Sequence, residues 1–183
     1  ANLKVTDLSI QRGYGIFDFL KTLSGEPVFL EDHLDRFYNS AGQMHLPVKY
    51  SREELSGMIY ELIRKNNISE SGIKITLTGG YSPDGFNIAE PNLVITQSEF
   101  NVVRDPERSI SLITHNYQRQ FATAKTLDYL QAIWLQPELK KQNADDVLYH
   151  DEGILRECPR ANFFLVSAEG EILTPANKML KGV

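Results

Sequence analysis

A single cysteine, Cys158, stands in the 183 residues, so no internal disulfide can form and the fold rests on packing alone. Reactivity requires a lowered thiol pKa that nothing local guarantees, so it reads as a packed small residue rather than a nucleophile. Histidine is also sparse. His33, His45, His115 and His150 are scattered, and none has metal-ligand spacing to a second histidine or cysteine, so no metal site is expected. Positive charge is not in excess: 19 Lys and Arg against 24 Asp and Glu leave a formal net charge of −5 and a pI near 5.4. Binding to a nucleic-acid backbone requires a basic face, so no nucleic-acid partner is expected. Long apolar runs are missing, which excludes a membrane-spanning helix, and residues 1–10 lack the basic and then apolar segments of a secretory signal. The default location is then cytoplasmic. No Gly-x-Ser-x-Gly elbow occurs, and Gly79-Gly80 is followed by neither Gly-Lys-Ser/Thr nor a helix, so it is no phosphate loop. Internal repeats and low-complexity segments are absent.

What is present is globular: 42% hydrophobic and 23% charged residues, in a length suited to one generous domain or two small ones. Strands are expected around Leu3 and Val5 and over residues 15–23, where Phe17 and Phe19 alternate. The turn Ser24-Gly25-Glu26-Pro27 leads into a short strand at 28–30, as a hairpin. Spacing then becomes helical over 31–44, with Leu34, Phe37, Tyr38 and Ala41 on one stripe and Glu31 and Asp32 in the first turn. Arg36 flanks that stripe. Ser51-Arg52-Glu53-Glu54 is a capping box opening a helix through Leu55, Ile59, Leu62 and Ile63 that closes at Asn66-Asn67. Residues 73–77 and 92–96 read as strands, the latter apolar enough for the middle of a sheet. A turn-rich loop lies between them.

The first 100 residues therefore form an α+β domain, 101–109 is a polar linker containing Asp105-Pro106, and 110–183 begins a second domain. There, a strand is expected at 110–113. The polar loop 119–123 precedes Ala124-Lys125-Thr126-Leu127, which reads as the start of a helix with an apolar stripe at Leu127, Leu130, Ile133 and Trp134; Pro137 restarts that helix toward Gln142. Short strands at 146–150, 154–157, 162–166 and 171–173, with Gly-containing turns between, suggest a barrel-like or sandwich second domain, here incomplete.

Three residues make chemical sense together. A lysine at the entry of a packed helix can be partly desolvated, which makes its amine a usable nucleophile, and Lys125 reads as standing at such an entry. The guanidinium of Arg36 suits a phosphate. Glu157, followed by the ladder break Cys158-Pro159, suits a ring nitrogen that must stay protonated. Taken singly, each reads more readily as a solvated lysine, a surface ion pair and a strand-end charge.

Four blocks resemble the fold-type IV, pyridoxal-phosphate-dependent class IV aminotransferases, the family of branched-chain aminotransferases, D-amino acid aminotransferases and aminodeoxychorismate lyases. They are Arg12-Gly13-Tyr14-Gly15-Ile16-Phe17-Asp18; Phe29 to Phe37 with Ser40-Ala41; Ala124 to Leu130; and Gly153 to Glu157 continuing through Asn162 to Val166 and Leu180-Lys181-Gly182-Val183. The resemblance implies a small N-terminal α+β domain and a larger barrel-like C-terminal α/β domain whose C-terminal part lies beyond Val183. It implies pyridoxal 5'-phosphate held as a Schiff base on Lys125, which also shuttles the substrate α-proton. By the same resemblance Arg36 would bind the phosphate and Glu157 the ring nitrogen, Gly182 and Val183 would begin the phosphate cup, Tyr129 would sit near the cofactor, and Phe17 and Phe19 would line the substrate pocket. A homodimer is implied by the same resemblance.

Departures from the family pattern narrow the substrate. Asp84 and Phe86 stand where D-amino acid transaminases carry an Arg and a His for a carboxylate, which speaks against D-specificity. Arg160 is either a substrate-carboxylate ligand or a salt-bridge partner of Asp151 or Glu152. The expected activity is transamination of an apolar, branched-chain type L-amino acid with a 2-oxo acid; the alternatives are an aminodeoxychorismate lyase releasing 4-aminobenzoate and pyruvate, or a degenerate, non-catalytic member.

Overall fold

The computed structural model describes residues 2–100 and 109–183; of the expected 101–109 linker, 101–108 lies outside the described residues. The chain divides into two compact units. The first holds Ala1–Arg104, Ala124–Asp128 and Val183, and the second Asp105–Thr123 and Tyr129–Gly182. The lysine segment thus belongs to the first unit.

In that unit α1 (Leu8–Arg12) is followed by β1 (Gly15–Leu23), β2 (Glu26–Pro27), α2 (Leu30–Gln43), α3 (Arg52–Asn66), β3 (Ser71–Thr78) and β4 (Leu93–Glu99). The strands form one antiparallel sheet in the order β2-β1-β3-β4, with β1 and β3 in register from Gly15↔Thr78 to Thr22↔Ser71. Alternation decides its faces. Ile16 and Leu20 of β1 and Ile73, Ile75 and Leu77 of β3 are buried with the α2 stripe of Leu34, Phe37 and Ala41 and the α3 stripe of Leu55, Ile59 and Ile63. The Ser51–Glu54 capping box is formed in both directions, and Asn67 caps the other end of α3 in a left-handed conformation.

Several local expectations are corrected. Leu3 and Val5 are exposed and irregular; the first regular element is α1, whose first turn is capped by Asp7 through Ser9 N–H. At five residues, α1 is too short to show a periodic stripe. Residues 28–30 are not a strand: β2 ends at Pro27, Phe29 is left-handed, and Leu30 already opens α2. β4 lies at the sheet edge rather than in its middle, with no buried residue along it.

The second unit contains β5 (Leu112–Asn116), α4 (Leu130–Trp134), α5 (Gln136–Lys141), β6 (Asp146–Asp151), β7 (Ile154–Leu155), β8 (Leu165–Val166) and β9 (Ile172–Leu173). β5 and β6 pair in parallel, the connection carrying the two short helices, and β7 adds to β6 antiparallel. Glu152 and Gly153, both at positive φ, make that tight turn. β8 and β9 form a separate hairpin. Leu135, Leu139, Val147 and Tyr149 make the core, with Tyr117 against Tyr149 at 5.0 Å between ring centroids. Pro137 sits in the first turn of α5, where its missing N–H is tolerated. The expected stripe of α4 is not a buried one: Leu130, Ile133 and Trp134 are each at least 67% exposed.

Candidate active site

Lys125 does not start a helix. Its segment is extended and continues the hydrogen bonding of β1: Phe17 N–H donates to Lys125 O at 2.9 Å, Leu127 N–H donates to Gly15 O at 2.9 Å, and Ile16 bridges Thr126. From α2, Ser40 Oγ accepts the Lys125 N–H at 3.0 Å. Helix α4 opens only at Leu130. The open edge of β1 offered unpaired donors and acceptors, and satisfying them outweighed the helical tendency of the local sequence. Gly15 permits the approach, since a Cβ there would lie 2.7 Å from both Leu127 Cδ1 and Leu77 O. The Lys125 backbone is therefore held on two sides while its side chain, half-buried, places Nζ 4.8 Å from the Phe17 ring centroid. Lys74 Nζ lies 4.8 Å from the same centroid. Two ammonium groups on one ring each gain about 0.5–1 kcal/mol of cation–π attraction at such partly exposed positions.

Arg36 is held by an acid that sequence reasoning passed over. Asp18 is fully buried, and its Oδ2 accepts Arg36 Nε–H while its Oδ1 accepts Arg36 Nη2–H, both at 2.8 Å. Oδ1 also accepts the Phe19 N–H and lies 2.8 Å from His33 Nδ1. Burial by itself would raise the Asp18 pKa, but hydrogen bonds from Arg36 and His33, with their charges, outweigh it and hold the carboxyl below the ordinary aspartate value. His33 and Arg36 are three apart on α2 and share the face that meets β1. The readable signal was an acid at an inward position of β1, between Ile16 and Leu20. Phe17 and Phe19 occupy the other face; Phe19 packs edge-on to Phe100 at 5.6 Å.

In the second unit Glu157 is 6% exposed and doubly engaged. Oε1 accepts Arg119 Nε–H at 2.9 Å, and Oε2 accepts the Leu180 N–H at 3.1 Å. Arg119 is oriented in turn by Nη2–H donation to Ala122 O at 2.7 Å. The Glu157 backbone is fixed by Tyr149 N–H donating to Glu157 O at 2.9 Å, next to Arg156 N–H donating to Tyr149 O. Arg119, read from the sequence only as part of a polar loop, is thus the charge partner that makes a buried carboxylate tolerable. Cys158 is buried, and its thiol is pushed up to about 11, chiefly by burial and then by the charges of Asp146 and Glu157.

Arg160 is exposed in the 158–161 turn and does not pair with Asp151, which is taken by Arg156 at 3.1 Å and Lys178 at 3.0 Å. Tyr129 is the N-cap residue of α4. Gly182 and Val183 lie in irregular, exposed chain. Phe86, in the loop after β3, is 84% exposed, and Asp84 there accepts N–H groups of Phe86 and Asn87 and the Ser82 hydroxyl, which hold its carboxyl well below the usual range. Among the described residues no group of three or more His, Cys, Asp and Glu could hold a metal, and no helix is long and apolar enough to cross a membrane.

The whole chain superposes on solved structures of the fold-type IV class. A protein from Legionella pneumophila, provisionally assigned as a 4-amino-4-deoxychorismate lyase, matches with a TM-score of 0.89 and 27% identity, over 100% of this chain and 70% of that one. A branched-chain aminotransferase from the thermophilic archaeon Thermoproteus uzoniensis, solved with norvaline, shares the fold at TM-score 0.87 and 23% identity, over 100% and 66%. D-alanine aminotransferase of Listeria monocytogenes is 26% identical over an alignment of 196 positions, covering all of this chain and 66% of the relative. The family description Amino-transferase class IV matches residues 15–183, and the chain belongs to that family. Class IV aminotransferases depend on pyridoxal 5'-phosphate. The chain spans just under two thirds, 66%, of the length of the D-alanine aminotransferases it matches.

The donor set fits that cofactor chemically. The first unit has a primary amine on a fixed backbone and a guanidinium on a rigid helix; the second has a buried, ion-paired carboxylate whose oxygens retain accepting capacity.

Proposed function

We propose that the protein binds pyridoxal 5'-phosphate and transaminates an apolar, branched-chain type L-amino acid with a 2-oxo acid. The observation that carries this reading is Lys125: its backbone is held by β1 and by Ser40, and its amine is presented half-buried over Phe17. When bound, the cofactor supplies a conjugated cationic ring able to accept the electrons of a substrate Cα bond. Lys125 Nζ would supply the amine that holds the cofactor aldehyde, and the same atom would take and return the substrate α-proton. Arg36, oriented by Asp18, would hold the phosphate, with backbone N–H groups of Gly182 and Val183. Glu157, secured by Arg119, would keep the ring nitrogen protonated, and Tyr129 would contribute near the cofactor. Phe17 and Phe19 present an apolar wall to the substrate, and Lys74 and Arg160 are the cations available for its carboxylate. The anchored acid Asp84, in place of a cation, supports an L- over a D-configured substrate.

Full-length protein should show a visible absorption band that borohydride removes, with the label mapping to Lys125, and should form branched-chain 2-oxo acids when given branched-chain amino acids and 2-oxoglutarate. An unlabelled Lys125 would sink the cofactor reading; a labelled one with no 2-oxo acid product would sink the substrate. The likeness to a provisionally assigned aminodeoxychorismate lyase favours one second reading. Release of pyruvate and 4-aminobenzoate from aminodeoxychorismate without an amino acceptor would select it. A colourless preparation unchanged by Lys125→Ala would mark a non-catalytic member. Light scattering tests the homodimer and cell fractionation the cytoplasmic location.

A further inference from the structure

Residues 180–182 belong to no strand or helix, so their path is set by whatever side chains grip them. The Leu180 backbone is gripped on both sides. Its N–H donates to Glu157 Oε2 at 3.1 Å, and its carbonyl accepts Asn162 Nδ2–H at 2.7 Å. The same Nδ2 lies 3.6 Å from Met179 Sδ. Both gripping side chains flank one short turn, closed by Cys158 N–H to Ala161 O at 3.0 Å, so they move as one piece. Two residues further on, a Cβ added to Gly182 would collide with Asn162 Oδ1. Asn162 is pinned by its own hydrogen bond and cannot swing aside without releasing Leu180. The carboxamide thus fills the space that only a glycine at 182 leaves open.

We infer that Asn162 is a positioning residue for the cofactor phosphate: by clamping Leu180 opposite Glu157 and abutting Gly182, it sets the direction of the Gly182 N–H. A consequence is that Glu157 serves both ends of the cofactor, meeting the ring nitrogen and holding the start of the phosphate turn through one carboxylate. Shortening Asn162 leaves the Leu180 carbonyl without its side-chain donor and removes the contact against Gly182. An aspartate there has no N–H and repels the same carbonyl. The inference rests on the proposed cofactor reading, with Gly182 at the phosphate.

The test compares two probes on full-length protein, pyridoxal 5'-phosphate and unphosphorylated pyridoxal, each titrated by fluorescence quenching. Asn162→Ala, Asn162→Asp and Gly182→Ala are each expected to weaken pyridoxal phosphate about tenfold, roughly 1.4 kcal/mol, while pyridoxal binding changes less than about twofold, within the scatter of a surface substitution. A loss equal for both probes makes Asn162 merely structural and overturns the inference, as does no loss for either. Should Asn162→Ala fail to fold, Gly182→Ala carries the comparison, because it disturbs the same contact from the other side. Wild-type protein that binds neither aldehyde overturns the cofactor reading, and the inference falls with it.

Discussion

Asp18→Asn is the sharpest perturbation available in the first unit. The side chain keeps its shape but loses its charge, leaving Arg36, only 14% exposed, without the carboxylate that accepts its Nε–H and Nη2–H at 2.8 Å. Asparagine also brings an NH₂ into a site where Arg36, His33 and the Phe19 N–H all converge on the carboxylate, so at least one donor faces a donor. Removing one partner of a buried ion pair costs about 3–5 kcal/mol. For a protein of this length each kcal/mol shifts Tm by roughly 2–4 °C, so thermal melting of cofactor-free protein at neutral pH should fall by about 6–20 °C. The pH dependence gives an independent check. The folded Asp18 pKa lies below the unfolded value of about 3.9, so its contribution is complete above that pH and is lost as pH falls through the lower, folded value. The gap between wild type and variant should be widest near neutrality and close in strong acid. Arg36→Met combined with Asp18→Asn should cost less than the two singles summed, by about 1–3 kcal/mol. A variant that melts within about 2 °C of wild type at neutral pH would refute the argument that Asp18 holds the arginine in place.

Other outcomes follow from the same geometry. Lys125→Ala should lose at least about 10²–10⁴-fold in turnover yet melt within about 4 °C of wild type, since its backbone bonds to Phe17 and Ser40 remain; a large fall in Tm would mean that the side chain is structural. Arg119→Met strands the Glu157 carboxylate and should destabilise by about 3–5 kcal/mol in denaturant titration, with Arg119→Lys intermediate because one ammonium cannot serve both Glu157 and Ala122 O in the same geometry. Cys158, with its thiol at about 11, should alkylate at pH 8 about 100-fold more slowly in the folded protein than in denaturant; equal rates would show an open site. Gly15→Ala forces a methyl against Leu127 Cδ1 and Leu77 O, and should cost about 1–3 kcal/mol in stability together with a larger loss of activity than of fold.

Much of this protein follows from its sequence through local rules. The stripes of α2 and α3, the Ser51–Glu54 box, and the alternation along β1 and β3 each need only neighbours a few residues away, and each formed where its pattern put it. The chemistry of an amine, a guanidinium and a carboxylate likewise singled out Lys125, Arg36 and Glu157 before any partner was known. Tertiary structure decided what holds those groups. Local sequence favoured a helix at Lys125, but the unpaired edge of β1 took the segment as an extended strand neighbour, because its open N–H and C=O groups are costly until paired. Asp18 reaches Arg36 across 18 positions, Arg119 reaches Glu157 across 38, and Asn162 reaches Leu180 across 18. No periodicity encodes such distances. A buried charge must find an opposite charge wherever the folded chain brings one, so the candidate side chains could be named from the sequence and the partners that hold them could not.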